Sequence, residues 1–184
     1  MTCATRRDFL KTTVGLGAAA LAAGPLSRVL AAADKRGEDM ALGLVTYQWG
    51  KDWDLPTLIA NCEKSKVLGV ELRTTHAHGV ERNLDARQRE AVKKRFDDSP
   101  AILVGLGSNE RFDHPDPKAL AKAIEATKAF VKLGHDCGGS GVKVKPNSFH
   151  KGVDHQKTIE QIGKALNVVG AFGADLGQQI RLEG

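Results

Sequence analysis

Four times in succession this chain runs from a short apolar, β-favouring stretch into a helical pattern, and it then begins a fifth stretch. The apolar runs cover residues 42–49, 70–74, 101–108, 141–147 and 178–184. The helical patterns between them cover residues 54–69, 85–99, 117–134 and 155–177. Leu55, Leu58, Ile59 and Cys62 keep the i, i+3, i+4 spacing of one helix face, with Asp54 placed to cap it, Pro56 in its first turn and Gly69 as its stop. Leu120, Ala123, Ile124, Ala126, Phe130 and Val131 do the same in the third helix. Ala91, Val92 and Phe96 form the inner face of the second, more charged one. Strands separated by helices of 10–20 residues predict parallel βαβ units. Right-handed crossovers leave two architectures for them, a doubly wound sheet or a (β/α) barrel.

The strands themselves separate these two. A central doubly wound strand is covered by helices on both faces and reads as a continuous apolar run. Here Val70 and Leu72 flank Glu71, with Arg73 next; Val142 and Val144 interleave with Lys143 and Lys145; Ile180 and Leu182 interleave with Arg181 and Glu183. With side chains alternating at period two, one face packs on helices and the other carries charge. The loop after the first strand, TYQWGKDWD, has neither of the glycine patterns that cradle phosphates. The expected fold is therefore α/β of the (β/α) TIM-barrel type, represented by about four βα units plus a fifth strand, its N-terminal part.

The first 33 residues read differently. TRRDFLK (residues 5–11) is followed by an Ala/Gly-rich apolar stretch and by VLAAADK, a charged region, an apolar region and a small-residue cleavage site in order. Gly15, Gly17, Gly24 and Pro25 interrupt the apolar stretch, so no permanent membrane anchor is expected. Paired arginines before Phe-Leu-Lys resemble a twin-arginine export signal, which implies the twin-arginine export machinery as a partner and a bacterial periplasmic or secreted location. A signal over 1–33, a polar linker over 34–41 and a barrel domain over 42–184 follow. The leader also holds +3 of the chain's formal charge of +5, leaving +2 on the rest, a mixed surface and no footprint for nucleic acid. Cys3 is in the leader; Cys62 and Cys137 are too few for a disulfide framework and have no metal-site spacing.

The frame GVELRTTHAHG at the second strand, the GVKVKPN strand and the closing IRLEG resemble the xylose isomerase-like barrel family. That family contains the sugar-phosphate isomerases/epimerases and the endonuclease IV-type enzymes, and the resemblance covers residues 42–184. It implies a site at the C-terminal ends of the strands. It also implies a divalent metal (Mn, Mg, Co or Zn) held by carboxylates and a histidine from the ends of strands five to eight. Glu183 matches the first of these ligands, and strand parity puts it on one face with Arg181. His76 and His78, just past strand two, are the catalytic candidates, either relaying protons between sugar oxygens or binding metal; two solvated loop histidines are the plain alternative. Substrate-binding candidates are Trp49, at the end of strand one beside Tyr47 and Gln48, either as an aromatic cover for a sugar face or as core packing, and Arg73, either facing a substrate anion or in a structural ion pair with Glu71. Lys145 joins them, with Lys143, either near substrate oxygens or paired with Glu71 and Glu183 as scaffold. His114, His135, His150 and His155 have no partner pattern and read as surface or loop residues.

A full barrel of this kind runs to about 250 residues, so residues 42–184 are expected to be part of one. Such a chain either continues elsewhere or completes itself by association, and alone it is expected to be inactive. The function implied is a sugar (phosphate) isomerase/epimerase acting on a small carbohydrate, the metal stabilising an enediolate. Two further readings are an endonuclease IV-like metal-dependent hydrolase, which a weakly charged exported region fits poorly, and a non-catalytic carbohydrate-binding half-barrel.

Overall fold

The computed structural model describes residues 42–145 and 147–183; the export motif, the linker and Cys3 lie outside the described residues. Strands β1 (Gly43–Val45), β2 (Gly69–Arg73), β3 (Ile102–Gly107), β4 (Gly141–Val144) and β5 (Gln179–Leu182) alternate with helices α1 (Leu55–Ser65), α2 (Ala86–Asp97), α3 (Pro117–Asp136) and α4 (His155–Asp175). Each helix starts on an aspartate. Asp54, Asp85, Asp116 and Asp154 accept the main-chain N–H of Thr57, Gln88, Lys118 and Lys157, and Asp85 completes a reciprocal box with the Gln88 side chain. Each such cap contributes about 1 kcal/mol. No helix among the described residues is long and apolar enough to cross a membrane.

The five strands are all parallel and lie in the order β1-β2-β3-β4-β5. That order decides the architecture. A doubly wound sheet reverses its strand order, which sends helices to both faces; sequential order with right-handed crossovers keeps every helix on one face, as in a barrel wall. The helix-covered face holds Val70, Leu72, Leu103, Leu106 and Val142, packed with Leu58, Cys62, Phe96, Phe130 and Val131. A second cluster joins Val144 to Phe112, Ala123, Ala165 and Val169, and Ile180 packs against both clusters. Leu182 shares the parity of Ile180 but is half-exposed.

Two element ends depart from the sequence pattern. The first strand stops at Val45, not at Trp49, because the next residues turn: the Tyr47 N–H returns to the Val45 carbonyl at 2.7 Å, and Thr46 turns its side chain toward β2. Helix α1 stops at Ser65, where Lys66 takes a left-handed conformation (φ 61°) and its N–H meets the carbonyls of Cys62 and Glu63. Gly69, the expected stop, instead opens β2. A shift in register at Val70/Glu71 adds one residue, Val104, to β3, so that Gly105 pairs with Glu71 and Gly107 with Arg73.

Candidate functional site

The open face of the sheet is built around two glycines on β3. A Cβ on Gly107 would lie 2.9 Å from Glu71 Oε1 and 3.0 Å from Arg73 Cγ; one on Gly105 would lie 2.5 Å from the Gly141 carbonyl oxygen and 2.8 Å from Arg181 Nη1. The middle strand thus contributes space, and long charged side chains from β2, β4 and β5 fill it. Lys143 Nζ lies 2.8 Å from Glu71 Oε1 and 3.6 Å from Glu183 Oε1, one ammonium between two carboxylates. Glu71 and Lys143 are mostly buried, whereas Glu183 is 42% exposed. Arg181 spans the floor, donating to the Val104 carbonyl at 3.0 Å and to Ser140 Oγ at 2.7 Å.

Above this cluster, at the C-terminal ends of β1 and β2, a polar rim is tied together by Thr46. Its buried hydroxyl accepts the Arg73 N–H at 2.9 Å and lies 3.0 Å from His76 Nδ1. The Arg73 guanidinium stacks 4.6 Å from the Tyr47 ring centroid and donates to Asn109 Oδ1 at 2.9 Å. His76 is held neutral: burial, then the cations Arg73 and Lys51, push its pKa down, against the smaller pull of Asp52 and Glu81. His78 is also lowered, first by burial. Its Nε2 lies 2.7 Å from the Arg73 carbonyl and its Nδ1 accepts the Val80 N–H at 3.0 Å. With a carbonyl at one nitrogen and an N–H at the other, the ring is a neutral Nε2–H tautomer with both positions used. Glu81 closes the same loop by accepting the Thr74 hydroxyl at 2.8 Å and the Thr75 N–H.

A second rim cluster clasps the loop after β3 to the loop after β4. The Asp113 side chain, fully buried, accepts the Ser148 N–H at 2.9 Å and His150 Nε2 at 3.1 Å, with Arg111 Nε 3.6 Å away. Burial alone opposes the charge on Asp113; the donors from Ser148 and His150 and the Arg111 cation outweigh it and hold its pKa low. Asn147 Oδ1 accepts the Phe112 N–H at 2.7 Å, and Gln161 donates to the Phe112 and His114 carbonyls. Phe149 stacks on His155 with ring centroids 4.0 Å apart.

Of the residues singled out from sequence, Arg73, His76 and His78 lie together, and Glu183 lies beside Lys143 below them. Strand parity was the signal for Glu183 and Arg181, and it holds. Lys145 follows β4, its N–H bound to the Glu110 carbonyl at 3.0 Å; Lys143, not Lys145, is the lysine that pairs with Glu71 and Glu183. Trp49 is not brought to this group. Because β1 ends early, the indole is 81% exposed and lines a groove of about 710 Å³ along the outer edge of β1 with Trp53, Cys62 and Val67. Tyr47 takes the aromatic place beside Arg73. Sequence reasoning missed Thr46, Asn109 and Asp113, and His150 is no stray loop residue but the partner of Asp113. His135 likewise lies 3.2 Å from Asp136, and His155 stacks on Phe149.

A divalent ion needs several hard donors converging on one point. Among the described residues no three of His, Cys, Asp and Glu converge. Glu183 offers one carboxylate, next to an ammonium, so the described residues alone do not fit a metal centre.

No family model and no curated protein matches the chain. Solved structures do match its fold. An IOLI protein with a bound zinc atom superposes with a TM-score of 0.67 at 16% identity, over 78% of this chain and 51% of that one. An L-ribulose 3-epimerase superposes with a TM-score of 0.62 at 18% identity, over 78% of this chain and 49% of that one. The 3-keto-D-glucoside 4-epimerase YcjR from E. coli gives a TM-score of 0.63 at 11% identity, over 78% of this chain and 56% of that one. At these identities the likeness establishes the fold, the N-terminal part of a (β/α) barrel. The chain spans about half the length of the structures it matches.

Proposed function

We propose that this chain supplies the first half of a sugar epimerase- or isomerase-type barrel, whose substrate is a small polyhydroxy carbonyl compound held at the C-terminal rim. The observation that carries this reading is that two polar groups, Arg73 and His76 joined through Thr46 and Lys143 paired with Glu183, lie toward the strand ends of a fold shared with epimerases for L-ribulose and a 3-keto-glucoside. Each residue has a task suited to a polar, non-aromatic ligand. Arg73, braced by Tyr47 and Asn109, presents a fixed cation to a carboxylate, phosphate or hydroxyl. His76, neutral at pH 7, meets sugar oxygens without a charge of its own. Lys143 bridges Glu71 and Glu183, its Nζ 2.8 Å from one carboxylate and 3.6 Å from the other. Glu183 is proposed as one ligand of a divalent metal in a protein that carries further strands, and no step is routed through that ion here.

Titrating the protein with a ketohexose while following ¹H–¹⁵N spectra tests this reading. Shifts are expected at residues 73–76, 109 and 143–145, and R73A should remove them. Shifts confined to the outer groove by Trp49, or none, would reject the site. We also propose that residues 1–33 direct export through the twin-arginine route. Replacing Arg6 and Arg7 by lysine should retain a reporter fusion in the cytoplasm, and unchanged export would reject the motif.

A further inference from the structure

Thr46 has one hydroxyl proton and nowhere else to put it. The side chain is fully buried, so its donor must be satisfied within the protein. Oγ1 already accepts the Arg73 N–H at 2.9 Å, and among the described residues the acceptor within its reach is His76 Nδ1, at 3.0 Å. If Nδ1 carried a proton instead, the hydroxyl would accept twice and its own hydrogen would be buried without a partner, a loss of about 1–3 kcal/mol. The lone pair at Nδ1 is therefore used, and the ring proton sits on Nε2, for which the described residues supply no partner.

We infer that Thr46 locks His76 as the Nε2–H tautomer, so that His76 meets a carbohydrate oxygen as a hydrogen-bond donor and not as a base or a metal ligand. The nature of the ligand rests on the function proposed above; the tautomer does not. A metal-bound or proton-accepting Nε2 needs its lone pair free, which would move the proton to Nδ1 and against Thr46. The surroundings agree with a donor. Arg73 and Lys51 are the cations facing the ring, Asp52 and Glu81 the anions, and His78 meets it edge-on with centroids 6.1 Å apart. Burial first, and then Arg73 and Lys51 against Asp52 and Glu81, lowers the ring's pKa, so it offers one N–H and no cation. His78 carries the same tautomer, but the Arg73 carbonyl uses its N–H internally. Of the two histidines, His76 is the one with a proton to offer. Thr46 is thus a positioning residue: it lies under the site and determines what the site presents.

The test is a long-range ¹H–¹⁵N correlation spectrum of the histidine rings in the full chain, above pH 7. His76 should show a pyridine-like Nδ1 and a pyrrole-like Nε2. In T46V a second tautomer should become visible, while T46S should keep the wild-type pattern. The reverse assignment in the wild-type protein overturns the inference, whether or not T46V folds. Adding D-fructose should then shift the Nε2 resonance. If the tautomer stands and D-fructose leaves that resonance in place, the carbohydrate reading fails, and the donor role toward a sugar fails with it.

Discussion

Replacing Gly105 by alanine tests whether the open face is a packed, shared space. The new Cβ would lie 2.5 Å from the Gly141 carbonyl oxygen and 3.3 Å from its carbonyl carbon, both main-chain atoms of the neighbouring strand. Backbone inside a parallel sheet cannot yield without distorting the β3–β4 ladder, so the cost belongs at the upper end of overpacking, about 3 kcal/mol. Part of it is offset, because alanine restricts the unfolded chain by about 0.5 kcal/mol relative to glycine. The matched control is Gly107→Ala. Its Cβ meets Glu71 Oε1 at 2.9 Å and Arg73 Cγ at 3.0 Å, side-chain atoms that can rotate away, so its cost should be about 1 kcal/mol or less. In a chain of this size each kcal/mol moves Tm by roughly 2–4 °C. Thermal melts followed by circular dichroism should therefore show Tm lower by roughly 5–10 °C for G105A and by no more than roughly 4 °C for G107A. Equal losses would refute the argument that main chain and side chain differ as neighbours there. A loss in G105A that R181A restores would show that the arginine, not the strand, is the obstacle.

Three other outcomes follow from the geometry. Lys143→Met strands Glu71 in a mostly buried place and should cost about 2 kcal/mol, while adding Glu71→Leu should recover about half of it; a double-mutant cycle in urea measures the coupling, and strict additivity would exclude the ion pair as a unit. Because donors hold the Asp113 carboxyl below its usual range, its stabilisation is present above the ordinary aspartate value and is lost as pH falls through the lower folded value. The Tm gap between wild type and D113N should therefore narrow from pH 7 to pH 2.5, and a constant gap would contradict the linkage. Burial pushes the Cys137 thiol up to about 11 and raises Cys62 in the same direction. In a Cys3→Ser background both should resist a disulfide reagent at pH 8 until denaturant is added, and rapid native-state labelling would show that one of them is accessible.

The architecture was legible because it rests on repetition. Period-two alternation in the Val70, Val142 and Ile180 runs and period-3.6 spacing around Leu58 and Phe130 are local signals that many residues repeat, so single errors average out. The inward direction of Glu71, Lys143, Arg181 and Glu183 came from the same alternation. The site's connections were not legible, since they join residues with no fixed spacing. Thr46 meets His76 thirty residues later, and Asp113 meets His150 thirty-seven residues later; no periodicity encodes either pair. Trp49 was misplaced for a related reason. A β-favouring run of eight residues predicts one strand, but the chain turns after Val45 and the Thr46 hydroxyl accepts the Arg73 N–H across the sheet. The early end of β1 then turns Tyr47, not Trp49, toward Arg73.

The clasp made by Asp113 also bears on how such a protein can be altered. Ser148, His150 and Arg111 converge on one carboxylate, and Asn147 and Gln161 bind the main chain around Phe112. The loops after β3 and β4 thereby share a single set of anchors. Exchanging either loop with that of another barrel would leave a buried carboxylate or a row of donors without counterparts, whatever the merits of the new loop. The smallest transplantable piece is the whole span from Ser108 to Gln161, with α3, β4 and the start of α4 included. Diversification of this rim, by evolution or in the laboratory, should proceed by replacing that span as one block, while the β1 and β2 loops joined through Thr46 are exchanged as another.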